Sequence, residues 1–328
     1  MLSYLTRRFL LGWLTLLLVT VIVYGLIRHM PGTPLTMTEN MDPSKRLSEE
    51  DRKLAEKAYG LDKPWYIAYF HWLGKLVTGD LGTSFRERRP VTLVIQQRIG
   101  PTLLLSGLSL LLTYAISVPI GLYSTVRSNR VDERLSSGFL YAIHSLPTYV
   151  AALQLLQIFY LRLRDTPWQL RPGMTSDHFE ELSAWGQTQD IAWHLLLPLV
   201  CMTYSSLAYF SRFVKANMEE AIRQDYIRTA RAKGVGPFGV IVHHAFRNTL
   251  IPFVTLLGLT LPSVLSGAII LEQVFSWPGM GTLYFEAITY RDYPVIMALT
   301  LMFSVLTLLG QLLADFLYAV VDPRVTYQ

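Results

Sequence analysis

IGPTLLLSGLSLLLTYAISVPIGLYSTV, residues Ile99–Val126, runs for 28 residues without an Asp, Glu, Lys or Arg. A helix of about 20 mainly apolar residues is long enough to cross a bilayer. The backbone polar groups of such a segment need internal partners in lipid, and a helix supplies them. Five further runs share this lack of charge: Phe9–Ile27, Leu135–Leu161, Ile191–Ser211, Asn248–Leu271 and Tyr293–Ala314. The six runs predict an all-α polytopic membrane protein with six transmembrane helices.

The composition of the 328-residue chain agrees with this interpretation. Hydrophobic residues make up 51% and charged residues 16%, whereas soluble domains carry about 25% charge. A buried core helix explains one uncharged run but not six. The first run is longer than the apolar region of a signal peptide and is followed by Arg28–Pro31, so we interpret it as an uncleaved span. A single cysteine, Cys201, excludes an intrachain disulfide.

Basic residues in the short loops predict the orientation, because cytoplasmic loops carry an excess of Lys and Arg. They precede span one, separate spans two and three, and are densest between spans four and five, at Arg7, Arg8, Arg127, Arg130, Arg134 and within 212–247. These regions lie on one side of a six-span protein, so that side and both termini are predicted to be cytoplasmic. Loops 162–190 and 272–292 then lie outside.

The same topology predicts the domain organisation. Residues 1–28 form an N-terminal segment and the first span, 29–98 an external segment, and 99–328 a five-helix core with the cytoplasmic loop 212–248. Within the external segment, Ser48–Tyr59 is typical of a short polar helix that ends at Gly60. The aromatic stretch Trp65–Leu81 is predicted to lie at the membrane interface.

The sequence lacks the motifs of common catalytic and metal sites. It contains no Walker A phosphate loop, H-E-x-x-H, G-x-S-x-G or C-x-x-C, so we predict no catalytic residue and no metal site. The spans also lack mid-span carboxylates, which disfavours a proton-driven carrier. His144 and His194 are interpreted as structural, and Asp315 is predicted to face protein or headgroups instead of lipid.

The cytoplasmic loop is patterned like two helices. Met218–Lys233 contains no Gly or Pro, Gly234 suits a helix terminator, and Pro237 suits the first turn of a second helix over Phe238–Arg247. A short helix of this kind can act as a lever against a partner. A basic loop attracted to lipid is the alternative.

Four stretches resemble the B-type permease subunits of bacterial dipeptide/oligopeptide-class ABC importers. They are Tyr4–Arg8 with Arg28–Pro34, Gly79–Ser84 with Pro90-Val91, Asp225–Gly234 with His244–Asn248, and Glu272–Gly281 with Arg291–Pro294 and Asp322–Arg324. They cover nearly the whole chain in the order of the family. The resemblance implies a type I ABC importer permease-like bundle in the bacterial plasma (inner) membrane.

The third stretch resembles the E-A-A-x-x-x-G loop of importer permeases. Ala230 and Gly234 fit the A-x-x-x-G spacing, while Arg228 and Thr229 replace the Glu and the first Ala. The triplet Glu219–Ala221 resembles the start of this motif but does not belong to it, because Asp225 stands at the position where the motif requires Gly. The resemblance implies a coupling helix that contacts an ATP-hydrolysing subunit through Tyr226, Arg228, Thr229, Ala230, Lys233 and Gly234.

The resemblance also implies the partners. These are a second homologous permease, two ATP-binding subunits that hold ATP and Mg, an extracellular or periplasmic substrate-binding protein, and membrane lipid. No nucleic-acid partner is expected. The chain itself is expected to be neither an enzyme nor a cofactor-binding subunit.

The segment after span five is a candidate external gate. A Pro-Gly step cannot continue a straight helix, and aromatic anchors are not needed in a solvated turn. We therefore predict that this segment dips back towards the bundle, with the residues Glu272, Phe275, Trp277, Pro278, Gly279 and Gly281 near the pathway. An interfacial aromatic turn is the alternative. Region 162–190 matches no pattern of the family.

Two other functions remain open from the residues alone. One is a secondary transporter or channel that works without an ATPase. The other is a membrane-anchored assembly or sensor protein built around 29–98. Among importer substrates, the resemblance allows dipeptides, oligopeptides, glutathione-like peptides, nickel chelates and sugars, and we favour peptides.

Overall fold

A computed structural model of the chain describes residues 2–35, 49–58 and 60–321. Within these ranges the chain is helical, and its only extended pairing is an isolated bridge between Thr83 and Pro90. The predicted all-α class is therefore confirmed.

Helices are numbered in chain order over the described residues. They are α1 Leu2–His29, α2 Glu49–Ala58, α3 Trp65–Val77, α4 Val91–Val126, α5 Val131–His144, α6 Thr148–Leu156, α7 Ala184–Ile222, α8 Asp225–Ala232, α9 Arg247–Ser266, α10 Ile269–Val274, α11 Met280–Tyr290 and α12 Tyr293–Val321. Short π-helical turns, Gln157–Arg162 and Val240–Phe246, follow α6 and precede α9.

Membrane-length helices are present in the described part of the chain. Four are long and apolar enough to cross a bilayer: Thr6–His29, Val91–Val126, Ala184–Ile222 and Tyr293–Leu313. The pair Val131–His144 and Thr148–Arg162 makes a fifth if it counts as one span. The chain is thus a multi-pass helical membrane protein, and the count of six spans stays a prediction.

The third predicted span, Leu135–Leu161, is not one continuous helix. α5 and the helix that follows it are bent by 81° at a short break. Pro147 causes the break, because it has no N–H for the preceding turn and disfavours a helical conformation in Leu146.

The predicted helix Met218–Lys233 is also interrupted. α7 is 39 residues long, about 58 Å at 1.5 Å per residue, and it continues past the uncharged run to Ile222. Arg223 ends it, Gln224 is extended with ψ 153°, and α8 starts at Asp225. An acidic residue is favourable in a first helical turn, which explains why the new helix begins there.

The described residues divide into two compact units. Of the described residues, 2–35, 49–58, 60–100 and 280–309 belong to unit 1, and 101–279 and 310–321 belong to unit 2. The core of unit 1 consists of buried apolar side chains of α11, the start of α12 and the start of α4. Unit 2 has three apolar clusters, of which one underlies α8 and two surround the segment after α9.

A buried aspartate organises the turn before α4 in unit 1. The carboxylate of Asp292 accepts hydrogen bonds from Ser84 Oγ at 2.5 Å, Phe85 N at 3.1 Å and Arg86 N at 3.2 Å.

The predicted polar helix in the segment before α3 is confirmed as α2, and Gly60 follows it with φ 64°. The aromatic stretch Trp65–Leu81 contains the helix α3, which ends at Val77, and its position at the membrane interface stays a prediction.

Candidate functional site

The candidate coupling helix α8 has one buried and one exposed face. Ile227 and Ala230, three residues apart, are buried in the unit 2 cluster formed with the end of α7 and the turn before α9. The opposite face carries exposed Tyr226, Arg228 and Thr229. α8 is therefore anchored by its apolar side and presents its polar side outward.

The C-terminus of α8 is fixed by a Schellman motif. Val235 N donates to Ala230 O at 3.2 Å, and Gly234 N donates to Arg231 O at 3.0 Å. Gly234 has φ 79°, a left-handed conformation that side chains with a Cβ disfavour. The predicted helix stop at Gly234 is confirmed, and Lys233 next to it is exposed.

The N-terminus of α8 has local polar support. Arg228 Nη1 lies 3.4 Å from Asp225 Oδ1, and Thr229 Oγ1 donates to Asp225 O at 3.1 Å. Both contacts lie at the surface, where such pairs contribute little to stability. The position of α8 thus depends mainly on the apolar cluster beneath it.

A buried ion pair holds α5 against α7 near the same end of unit 2. Lys215 Nζ and Ser137 Oγ each donate to Glu133 Oε1 at 2.8 Å. Glu133 is only 4% exposed. The pair borders a cavity of about 600 Å³ between α5 and α7. No sequence pattern indicated this pairing, because its two residues lie on different helices.

The candidate gate segment is buried within unit 2. Trp277 is 0% exposed; its Nε1 donates to Pro101 O at 2.9 Å, and its ring packs with Leu105 and Leu195. Phe275 is 1% exposed and packs in a neighbouring cluster. Both aromatic side chains therefore contact protein in this conformation, and neither contacts lipid headgroups.

Glu272 is buried together with these aromatic residues. Its Oε1 accepts hydrogen bonds from Thr102 Oγ1 and from Ala268 N, each at 3.3 Å. A Cβ placed on Gly279 would overlap the Glu272 carboxylate, so this glycine allows a close approach of the backbone. With 0% exposure, Glu272 is not accessible to solvent in this conformation.

The remaining two candidate gate residues lie beside this cluster in the chain. Pro278 is half-buried. Gly281 is buried at the start of α11, which belongs to unit 1.

Region 162–190 supports the gate segment, a role that sequence reasoning missed. Gly173 N donates to Phe275 O at 2.7 Å, and buried Leu170 packs in the same cluster as Phe275. Trp193 Nε1 donates to Gln169 O at 3.1 Å and so ties the loop to α7. Backbone hydrogen bonds of this kind leave no pattern in a sequence.

The structure also describes the isolated polar groups of the spans. His144 Nδ1 lies 2.8 Å from Ser205 O, and His194 Nδ1 lies 2.8 Å from Asp190 O, in agreement with structural roles. Within the described residues no three His, Cys, Asp or Glu side chains are placed to hold a metal ion. The surroundings of the Asp315 side chain, and residues 322–324, lie outside the described part.

Several membrane-length helices characterise a multi-pass helical membrane protein, and comparison with known sequences gives its class. Residues 117–327 match the family described as binding-protein-dependent transport system inner membrane component. Residues 1–106 match the family of its N-terminal region.

Curated relatives extend over the whole chain. The oligopeptide transport system permease protein AppB of Bacillus subtilis is 37% identical over 329 residues, which cover 100% of both chains. The glutathione transport system permease protein GsiC of Escherichia coli K12 is 34% identical over 329 residues, again 100% of both.

The chain therefore belongs to the family of binding-protein-dependent transport system inner membrane components. It is a multi-pass inner-membrane permease of the dipeptide/oligopeptide ABC class, and it is not an enzyme by itself. The predicted family and location are confirmed. A secondary transporter or channel is not favoured.

Proposed function

We propose that the chain forms half of the transmembrane pore of an ATP-driven peptide importer. A second homologous permease forms the other half, two ATP-binding subunits hold ATP and Mg, and a substrate-binding protein delivers cargo from outside. ATP binding moves the coupling helices and exposes the pathway alternately to each side. In this proposal the chain supplies a helix bundle with two arrangements, and the partners carry out the chemistry.

The proposed topology has six spans with both termini in the cytoplasm. The broken pair α5 and α6 with its π-helical turn serves as the third span, and α9 serves as the fifth. Residues 29–98 form the external segment and 99–328 the permease core with the coupling loop 212–248. The excess of Lys and Arg in the proposed cytoplasmic loops supports this orientation.

One observation carries the coupling role: α8 buries Ile227 and Ala230 but exposes Tyr226, Arg228 and Thr229. A force applied to the exposed face is transmitted to α7 and to the turn before α9 through the shared cluster. A lever needs such an anchored face, because a helix that does not pack against its neighbours can shift without displacing them.

Site-directed crosslinking of the assembled transporter tests this contact. Lys233→Cys and Arg228→Cys are each placed in a Cys201→Ala background and paired with single cysteines in the ATP-binding subunit. We expect disulfide crosslinks from both positions. Arg130→Cys, in the other proposed cytoplasmic loop, is the matched control. Crosslinks only from position 130 would move the ATPase contact to 127–134.

The gate role rests on the burial of an aromatic, charged and glycine-containing segment that ends at a proline-glycine step. In the proposal, Glu272–Gly279 and Gly281 close the outer end of the pathway and loosen when the binding protein delivers cargo. Phe275→Cys and Trp277→Cys are labelled with a soluble maleimide in the Cys201→Ala background, with and without ATP. We expect labelling to change with nucleotide. Uniform labelling by a lipid-soluble probe, unchanged by ATP, leaves only a membrane anchor.

The substrate class is proposed from the relatives. The names of AppB and GsiC refer to oligopeptide and glutathione transport, and both substrates are peptides. Mass spectrometry of the ligand that copurifies with the cognate binding protein tests this class. A nickel chelate or a sugar in that protein would overturn the peptide proposal and leave the pore role intact.

A further inference from the structure

A cavity of about 660 Å³ opens in unit 1, and its lining includes no residue of α8 or of the gate segment. This volume lies within the range of small-ligand pockets, about 300–1,000 Å³. Its walls come from α1, α3, the turn before α4 and the start of α12. The charged side chains in the lining are Lys57, Lys63, Lys75, Arg88 and Asp80.

The lining is strongly basic. Four cationic side chains and one carboxylate line the cavity. The carboxylate, Asp80, already accepts a hydrogen bond from Gly82 N at 2.8 Å. Within the described residues, Lys63, Lys75 and Arg88 form no ion pair. A concave site with excess positive charge favours an anionic ligand.

The pocket lies beside a membrane span. Thr20 Oγ1 of α1 and Tyr69 Oη of α3 form a hydrogen bond of 3.0 Å. Thr20 precedes His29, the end of α1, by nine residues, which is about 14 Å along the helix axis. Tyr24 packs edge-on against Tyr69, with ring centroids 5.6 Å apart. α3 therefore runs alongside the last turns of a span and is not held away from the bilayer.

The two faces of α3 differ in chemistry. Ala68, His71, Trp72 and Lys75 line the pocket. The other side carries exposed large apolar side chains, namely Tyr66, Ile67, Phe70 and Val77. Aromatic and apolar residues beside a span are typical of the membrane interface, where the phospholipid headgroups lie.

The rim of the pocket is tied to the end of the span. Arg28 Nη2 donates to Lys63 O at 2.6 Å and to Gly60 O at 3.2 Å. These bonds fix the loop that bears Lys63 relative to α1. The rim of the pocket at Lys63 is thus structured, because the backbone of this residue is hydrogen-bonded to the span.

We propose that this pocket binds the phosphate ester of an anionic phospholipid, whose acyl chains stay in the bilayer that surrounds α3. Lys63, Lys75, Lys57 and Arg88 neutralise the headgroup. The aromatic wall, Tyr24 and Trp72, excludes water from one side of it. This site requires only the membrane location of the chain and is independent of the importer proposal.

Native mass spectrometry of the full-length chain in detergent tests the site. The probes are dioctanoyl phosphatidylglycerol, dioctanoyl phosphatidylcholine and glycerol 3-phosphate. We expect phosphatidylglycerol to bind at least about tenfold more tightly than phosphatidylcholine. The double substitution Lys63→Gln with Lys75→Gln is expected to weaken the binding of phosphatidylglycerol by about 30-fold, since each basic residue adds to the attraction of an anionic headgroup.

The matched control removes two charges from the same segment outside the pocket, at exposed Lys53 and Arg89. Lys53→Gln with Arg89→Gln is expected to change affinity by less than about twofold. The thermal midpoint without lipid verifies folding of each variant, and Lys57→Gln replaces the pocket pair if that pair does not fold.

Three results would overturn the proposal. Equal loss in the pocket and control variants would indicate unspecific charge attraction. If glycerol 3-phosphate saturated the pocket at the same concentration as phosphatidylglycerol does, the pocket would be assigned to a soluble phosphate ester. Loss of binding-protein affinity in the pocket variant, with phosphatidylglycerol binding unchanged, would assign it to an acidic protein surface.

Discussion

Gly121 of α4 and Val214 of α7 approach so closely that a Cβ on the glycine would overlap the valine side chain and crowd Ser211 O. Val214 is fully buried in the cluster under α8. Small residues permit such close helix contacts in membrane proteins. The crossing therefore places α4 directly against the helix that supports the proposed coupling lever.

Gly121→Ala is expected to destabilise the protein by about 1–3 kcal/mol, because the added methyl forces α4 and α7 apart. The thermal midpoint in detergent and ATPase coupling in liposomes measure the effect. Gly107→Ala, in the same helix and with no atom within 4 Å of the added Cβ, is the control and is expected to be neutral or stabilising. Equal effects of the two substitutions would contradict a special crossing at Gly121.

Gly234→Val is expected to reduce transport and ATPase coupling while membrane insertion stays intact. The left-handed conformation at φ 79° costs a residue with a Cβ about 1 kcal/mol or more, so the Schellman stop of α8 is weakened. Gly236→Val is the matched control, because Gly236 has φ −61° and ψ 158°, which valine adopts readily. Normal transport by Gly234→Val would remove the lever from consideration.

Glu133→Ala is expected to lower stability by about 1–3 kcal/mol, since it removes two hydrogen bonds and leaves Lys215 without its buried partner. Glu219→Ala provides the comparison. Its carboxylate lies 3.8 Å from Lys215 Nζ and is 37% exposed, so its loss is expected to cost less than about 1 kcal/mol. Thermal midpoints at two salt concentrations separate the two cases. A larger loss at Glu219 would disprove the assigned ranking.

Asp292→Ala is expected to be among the most damaging changes in unit 1. It leaves Ser84 Oγ and the N–H groups of Phe85 and Arg86 without the Asp292 acceptor. Ser84 is buried, and a buried group left unpaired costs about 1–3 kcal/mol. Glu286→Ala breaks the more exposed ion pair with Arg86 and is expected to cost less than about 1 kcal/mol. Expression level and thermal midpoint are the measurements. Similar values for both variants would argue against a stabilising role of the Asp292 hydrogen bonds.

Gly279→Ala is expected to destabilise the gate segment, because the new methyl overlaps the Glu272 carboxylate. Adding Glu272→Ala removes the obstructing group, so the double variant is expected to be more stable than the sum of the single effects predicts. A double-mutant cycle of thermal stability measures this coupling. Additive effects would show that the overlap is relieved in another way.

Local features of this protein were predictable. The Gly234 stop and the polar helix α2 each depend on a few neighbouring residues, which determine backbone conformation and solvent exposure directly. Pro147 indicated a bent helix, but not the size of the bend, 81°, because a proline in a span kinks or breaks the helix according to which neighbouring elements satisfy the freed backbone groups. The break at Arg223-Gln224 carried no Gly or Pro signal at all.

The candidate sites were only partly predictable. The motif around Ala230 and Gly234 indicated a lever, and its spacing did not reveal that Ile227 anchors it. The aromatic residues Phe275 and Trp277 indicated an anchored segment. The loop around Leu170 that covers Phe275 had no recognisable pattern.

The pattern of apolar and charged residues was enough to establish that the chain is a helical membrane protein and which runs are apolar enough to cross a bilayer. The reason is that the bilayer requires about 20 consecutive apolar residues with internally satisfied backbone groups, which is a property of a contiguous segment. Tertiary structure alone decided that Trp277 is buried against Pro101, that Asp292 holds Ser84, and that Lys63 and Lys75 share one pocket. These arrangements depend on residues as many as 208 positions apart, and such partners are chosen by packing and hydrogen bonding after the helices have formed.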